Sequence, residues 1–131
     1  RQRQMCIRDR SFPILETWSN AVNSHNIEDV LSLYDQDAVL VATFSPVPLT
    51  SNDSIKSYFE NLFSNPGAGV KFDYESINSQ KLSESLEVLS GLYTFLKEED
   101  GNQVKVAARF TYLIDTSSDS PINHHHSSQL P

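Results

Sequence analysis

The chain has 131 residues and a formal net charge of −7, so it is long enough for one domain with a buried core. Hydrophobic residues make up 38% of it and aromatic residues 10%, which excludes a disordered tail. No run approaches the roughly 20 apolar residues of a membrane-spanning helix. The acidic balance argues against a nucleic-acid or anionic-membrane surface, because both need a basic footprint.

The first ten residues, RQRQMCIRDR, differ in composition from everything after them. They carry four of the five arginines and the only cysteine, and MCIRDR resembles the translated end of a sequencing adapter. We therefore predict a non-native segment over residues 1–10 and a single domain over residues 11–131. Without that segment, Lys plus Arg falls from 10 to 6 and Asp plus Glu from 17 to 16, so the net charge becomes −10. The true N-terminus is then expected to be missing, which leaves a soluble cytoplasmic and an exported protein both open.

Two helices are predicted at the start of the domain. Residues 11–24 repeat an apolar residue at every fourth position, with Ser11 as the expected cap and Pro13 in the first turn. After a very short joint, Asn26 is placed to cap a second helix that has two acidic residues in its first turn.

A strand and a third helix follow. The continuous β-branched run AVLVATF (38–44) predicts a buried strand. A proline-rich loop then delivers Ser51 or Asn52 as the cap of a helix that ends at SNPG. The apolar residues of this helix share one side: Ile55, Tyr58, Phe59, Leu62 and Phe63.

The rest of the chain is strand-like. VKFDYESI alternates strictly, Asp100-Gly101 is a strong hairpin turn between LEVLSGLYTFL and VKVAARFTYLI, and PINHHHSS forms the last strand. The order of elements predicts an α+β domain in which three helices pack on one face of a bent, mostly antiparallel sheet. Such a cone encloses a pocket, and pockets of this kind are common ligand sites.

Six ordered motifs carry a family resemblance: W...A......D.LSLYDQDAVLVATFS, IKSYFENLFSNPGAGVKF, SGLYTF, DG, AARFTY and HHHSSQLP. Together they resemble the association-domain family of calcium/calmodulin-dependent protein kinase II, most closely its stand-alone bacterial members. That family lies within the SnoaL-like, nuclear-transport-factor-two-like superfamily of cystatin-like cones. The resemblance covers about residues 12–131 and implies a histidine-rich last strand, so the histidines belong to the domain.

The resemblance also implies a ligand. In the kinase family an arginine at the position of Arg109 lines a pocket that accepts small carboxylates, whereas another arginine of that pocket aligns with Ser127. The Asp-Gly turn and the tryptophan that relatives carry before the last strand are replaced by Asp119-Ser120-Pro121. Kinase activity and calmodulin binding belong to other segments of the kinase and do not carry over.

Strand geometry predicts a polar patch in the last hairpin. A turn centred on residues 117–118 places Arg109 opposite His126 and Thr111 opposite His124, with all four side chains on one face. A slip of one residue would exchange the histidines between the faces. We predict these ligand-binding residues: Arg109, Thr111, His124, His126, Tyr93, Tyr58 and Trp18.

Each of these residues could instead have a purely structural role. Arg109 is costly to bury alone, so it either pairs with an internal carboxylate or awaits an anionic ligand. The histidines either satisfy one another in the strand or line the pocket, with His126 as the candidate general base. No metal site is expected, since no further ligand has suitable spacing, and no cofactor is expected, since nothing fits a nicotinamide or flavin. Trp18 is also a candidate for the core.

Two function hypotheses follow. The first is a domain that binds a small organic ligand, with a carboxylate as one candidate, and self-associates as a homodimer or larger assembly through an outer sheet face that carries Phe110 and Tyr112. The second is a cone-fold isomerase, dehydratase or cyclase in which His126 is the base and Arg109 or Tyr93 holds the oxyanion.

Overall fold

The computed structural model describes the backbone of residues 2–131 and the side chains of residues 12–131. The segment 1–10, predicted as non-native, therefore lies outside the residues whose side chains are described. The elements in chain order are α1 (Gln2–Asn23), α2 (Ile27–Leu33), β1 (Tyr34–Val41), α3 (Asn52–Phe63), β2 (Gly69–Lys81), β3 (Leu86–Glu99), β4 (Asn102–Asp115) and β5 (Ile122–Gln129).

One five-stranded sheet carries the fold, in the order β1-β5-β4-β3-β2. The pair β1–β5 is parallel, and the other three neighbouring pairs are antiparallel. The three helices pack against one face. This confirms the predicted α+β class with helices on a mostly antiparallel sheet. No helix among the described residues is long and apolar enough to span a membrane.

Helix α1 differs from the prediction at its start and agrees with it at its end. It begins before Ser11, and Pro13 lies inside it instead of in the first turn. At its other end His25 adopts a φ of 55°, and the amide of Asn26 donates to the carbonyl of Ala21 over 2.9 Å. This left-handed cap ends the helix, and only three residues separate Asn23 from the start of α2 at Ile27.

The predicted caps of the other two helices are confirmed. The side chain of Asn26 accepts a hydrogen bond from the amide of Asp29 at the start of α2. Ser51 caps α3 and exchanges hydrogen bonds with Ser54, which makes a reciprocal capping box. Helix α3 buries Ile55 and turns the rest of its apolar stripe toward the sheet.

The hairpin between β3 and β4 turns at the predicted dipeptide. Asp100 and Gly101 have φ angles of 54° and 78°, and the flanking residues Glu99 and Asn102 are paired. Two consecutive positive φ angles define the turn whose twist matches that of the strands it joins. Because nothing lies within 4 Å of a Cβ built on Gly101, its requirement for glycine is conformational and not steric.

Strands β2, β3 and β4 are longer than predicted, β5 has the predicted length with its bounds one residue later, and β1 is displaced. Strand β1 starts at Tyr34 and ends at Val41, whereas the sequence pattern favoured residues 38–44. Tyr34 leaves α2 in an extended conformation and pairs directly with Ile122, so the strand begins with no connecting turn.

The inner face of the sheet, which the helices cover, holds the core. In β4 the inward residues alternate along the strand, and all are buried: Ala108, Phe110, Tyr112 and Ile114. The prediction that placed Phe110 and Tyr112 on the outer face is wrong. These large rings bury far more apolar area than the alternating set of Arg109 and Thr111, so they turn inward.

Both edges of the sheet are partly occupied. At the β2 edge, the side-chain amide of Asn23 accepts from the amide of Val70 at 2.7 Å and donates to its carbonyl at 3.1 Å. Gly69 leaves room for this contact, since a Cβ there would lie 2.8 Å from Asn23 Oδ1. At the β1 edge, Leu40 and Leu49 exchange two backbone hydrogen bonds.

Candidate functional site

A bulge in β5 decides which of the three consecutive histidines faces the helices. The pairing of β4 with β5 shifts by one residue at Asn123, which has no partner in β4. Without the bulge, strict alternation from the buried Ile122 would turn His124 inward. With it, His125 faces inward and is only 2% exposed, while His124 and His126 lie on the opposite face.

Both ring nitrogens of His125 are hydrogen-bonded to tyrosine hydroxyls. Nδ1 lies 2.9 Å from Tyr34 Oη, and Nε2 lies 3.0 Å from Tyr93 Oη. The indole Nε1–H of Trp18 donates to Tyr34 Oη over 3.0 Å. These four residues, here called the interior network, tie α1 to strands β1, β3 and β5.

The indole of Trp18 sets the direction of the hydrogen bonds from Tyr34 to His125 and from His125 to Tyr93. An indole nitrogen can only donate, so Tyr34 Oη accepts from it and directs its own hydrogen to His125 Nδ1. A neutral imidazole then carries its proton on Nε2, which donates to Tyr93 Oη. We assign His125 to this tautomer on that basis.

Burial keeps the interior network uncharged. Removal from water lowers the pKa of His125 to about 3, and the neighbouring imidazoles of His124 and His126 lower it further in the same direction. Burial raises the pKa of Tyr34 and Tyr93 well above the ordinary value for tyrosine. At neutral pH the residues of the network are therefore uncharged and joined by hydrogen bonds, and His125 is a very weak base.

Tyr112 differs from the interior network because its buried hydroxyl has no hydrogen-bond partner in the described part of the chain. Its ring stacks on His125 with centroids 4.0 Å apart and an angle of 15° between the planes. Its hydroxyl is buried and has no hydrogen-bond partner among the described residues. An unpaired buried hydroxyl costs free energy that a phenylalanine at this position would not.

One void of about 10 Å³ lies between the helices and the sheet, with room for about one water molecule. Its walls include residues of the interior network and of α3 and β1: Trp18, Leu40, Ala42, Thr43, Tyr58, Phe59, Phe95, His125 and Ser127. Aromatic side chains form much of its wall, and this void is too small for the expected organic ligand.

The aromatic residues predicted for the pocket lie on the inner side. Trp18 and Tyr93 are fully buried members of the interior network, which makes them core residues as well as neighbours of the void. Tyr58 is half-buried on the void wall, and burial raises the pKa of its hydroxyl to about 12.

The polar residues predicted for the pocket lie on the other side of the sheet. Arg109 and His126 are exposed on the outer face, the face away from the helices, so the placement of both inside the cone is wrong. The predicted register is also wrong by two positions: Arg109 faces Ser128, and Thr111 faces His126. The turn is centred later in the chain than assumed, and the bulge at Asn123 adds a residue.

An outer-face groove nevertheless gathers three of these residues. It has a volume of about 250 Å³, and its walls are formed by Ser90, Gly91, Arg109, Phe110, Thr111, His126 and Ser128. Arg109 Nε donates to Ser128 Oγ over 2.9 Å. His124 lies further along the same face, opposite Leu113, and does not line the groove.

The buried positions of His125, Tyr34 and Ser127 were not predicted from the sequence. The aromatic hydroxyls of β1 and β3 were the available signal, because a buried imidazole needs two partners and tyrosines on neighbouring strands supply them.

Among the residues whose side chains are described, no group of three or more His, Cys, Asp or Glu side chains could hold a metal ion.

A family comparison identifies the chain. Residues 10–131 match the calcium/calmodulin dependent protein kinase II association domain family. The chain belongs to this family. A candidate association domain of the same kind from Xanthomonas campestris has a similar structure, with 30% identity, a TM-score of 0.79 and coverage of 89% of this chain and 83% of that one.

More distant structures share the fold of this association domain. A nuclear-transport-factor-two-like protein with a cystatin-like fold from Novosphingobium aromaticivorans has a TM-score of 0.73 at 8% identity, covering 98% of this chain and 85% of that one. A protein described as a candidate scytalone dehydratase from the same organism has a TM-score of 0.82 at 9% identity, covering 98% and 87%. The predicted cystatin-like cone is thereby confirmed. The comparison with curated proteins found no match.

The two buried tyrosines of β3 and β4 provide a matched pair of substitutions. Tyr112→Phe should leave the free energy of unfolding unchanged within about 0.5 kcal/mol or raise it, because the lost hydroxyl has no partner. Tyr93→Phe should cost about 1–2 kcal/mol, because His125 Nε2–H loses its acceptor. Urea denaturation of both variants tests this, and equal costs would contradict the assigned network.

The buried imidazole should make stability depend on pH. The pKa of His125 is about 3 in the folded state against 6.5 in the unfolded chain, so below pH 6.5 the unfolded state binds more protons. Stability should therefore fall as the pH drops, by at most about 1.4 kcal/mol per pH unit. Urea denaturation between pH 5 and 7 should show this slope reduced in His125→Phe and retained in His126→Asn. Equal slopes in all three proteins would contradict it.

Proposed function

We propose that this association domain is a self-association module that forms a homodimer, or a larger assembly built from dimers, through the outer face of its sheet. The family to which the chain belongs supports self-association, as does the description of the Xanthomonas campestris relative as an association domain. The observation that carries the choice of surface is the composition of the outer face.

Apolar residues are frequent on that face. An antiparallel sheet with one face in water usually alternates apolar residues inward with polar residues outward. Here the outer face retains aliphatic side chains on three strands, β1, β3 and β4, all of them partly or largely exposed: Val39, Val41, Val88, Leu92, Leu96 and Leu113. Leu92 is 38% exposed in the middle of this surface. A patch of this kind is typical of a protein interface.

A positive charge introduced into the apolar outer face tests whether that face is the interface. Leu92→Lys should weaken self-association by at least about tenfold, because two buried ammonium groups would face each other or lose their water. Val47→Lys is the matched control, since Val47 is 59% exposed but lies in the loop after β1. Sedimentation equilibrium at micromolar concentration measures both. A monomeric wild-type protein would overturn the proposal.

The proposed small-molecule site needs a new location. No lysine or arginine among the described side chains lines the interior void, and its volume of about 10 Å³ excludes an organic carboxylate without movement of the helices. The outer-face groove offers the guanidinium of Arg109, the hydroxyls of Thr111 and Ser128, and the imidazole of His126 around about 250 Å³. We place the small carboxylate there, with Arg109 as its main partner.

Binding of a free carboxylate should be weak because the guanidinium is exposed. Titration with acetate or benzoate, followed by the NMR signal of Arg109 Nε–H and neighbouring amides, should give a dissociation constant in about the millimolar range. Arg109→Gln should abolish the shifts, and Lys105→Gln, on the same strand but outside the groove, should preserve them. Shifts confined to residues around the interior void would contradict this placement.

A cone-fold isomerase or dehydratase remains the second candidate. The observation in its favour is an imidazole held between the hydroxyls of Tyr34 and Tyr93, a set that joins a base to oxyanion-stabilising donors. The base would be His125, because His126 lies on the outer face. A pKa of about 3 and the small void both disfavour it.

A further inference from the structure

One row of side chains crosses four strands of the outer face. Asp73 of β2 pairs with Leu92 of β3, Leu92 pairs with Arg109 of β4, and Arg109 pairs with Ser128 of β5. Directly paired residues share a face, so the row presents an acid, an aliphatic residue and a base at equal steps. Leu92 is the midpoint between the two opposite charges.

The two charges do not satisfy each other within the chain. Arg109 and Asp73 stand two strands apart, which is about 10 Å at the usual strand spacing. Among the described side chains the one ion pair is Lys97–Glu99, at 3.1 Å. The guanidinium of Arg109 makes one described hydrogen bond, from Nε to Ser128, and its two Nη groups have no partner among those residues.

A two-fold axis along β3 would satisfy both charges at once. Rotation about an axis in the interface plane and parallel to β3 places the β4 of one copy over the β2 of its partner. Arg109 of each copy then lies over Asp73 of the other, and the two Leu92 side chains meet on the axis. Sheets packed face to face lie about 10 Å apart, a gap that an arginine and an aspartate together can cross.

The alternative central axis is electrostatically unfavourable. An axis along β4, the middle strand of the sheet, would superimpose the two Arg109 guanidinium groups. Like charges opposed in an interface are repelled and suppress that arrangement. Charge complementarity therefore selects the axis along β3 over the axis along β4.

We infer that the dimer is held in register by two reciprocal ion pairs, Arg109 with Asp73 of the second copy, on either side of a Leu92–Leu92 contact. The inference rests on the proposed self-association through the outer face and adds to it the symmetry axis and the pairing residues. A free carboxylate in the groove would compete with the aspartate of the second copy.

A charge swap on the full chain tests the pairing. By sedimentation equilibrium, Arg109→Glu and Asp73→Arg should each raise the dimer dissociation constant by at least about tenfold, because each creates two like-charge contacts. The double variant Arg109→Glu/Asp73→Arg should return to within about threefold of wild type, since the same two pairs form with reversed signs.

A second double variant controls for net charge. Lys105→Glu/Asp73→Arg has the same formal charge as the swap, but Lys105 pairs with Leu96 outside the row, so it should remain as weak as Asp73→Arg alone. A wild-type dimer that tolerates Arg109→Glu, or a swap that stays as weak as the single variants, would overturn the pairing while leaving self-association intact. A monomeric wild type would instead overturn the proposed function itself.

Discussion

The two hydrogen bonds of the His125 imidazole are the constraint on which the arrangement of the sheet depends. A buried imidazole is tolerable only when both nitrogens are bonded, and here Tyr34 and Tyr93 supply the partners from two other strands. The stacked ring of Tyr112 completes the enclosure. Because β5 enters the core at this residue, its neighbours His124 and His126 must face outward, together with the residues of β4 that pair with them.

This division separates a closed interior from a chemically varied exterior. The inner face is largely aromatic, its interior network is uncharged at neutral pH, and a void of about 10 Å³ lies beside that network. The outer face carries a guanidinium, an imidazole, hydroxyls and exposed aliphatic side chains around a groove of about 250 Å³. The outer face therefore offers more groups that can bind a partner or a small anion than the interior void does, although ligand sites in cone-shaped folds are expected inside the cone.

The sequence was sufficient for the elements and their order because local rules determine them. Apolar stripes predicted the helices, Asn26 and Ser51 capped them as expected, and Asp100-Gly101 formed its turn. The candidate site was less predictable. A bulge at Asn123 depends on tertiary packing and inverts the facing of each residue beyond it. The inward placement of Arg109 came from family resemblance, while the larger apolar side chains beside it favoured the opposite orientation.

The two hydrogen bonds between the Asn23 side chain and the Val70 backbone affect how copies of the chain can assemble. A terminal strand with free amides and carbonyls invites another strand to extend the sheet sideways without limit. Here a side-chain amide already occupies both groups of one β2 residue, and Leu49 occupies those of Leu40 on the far border. Lateral polymerisation is thus obstructed at both margins, which favours closed assemblies of defined size over fibres.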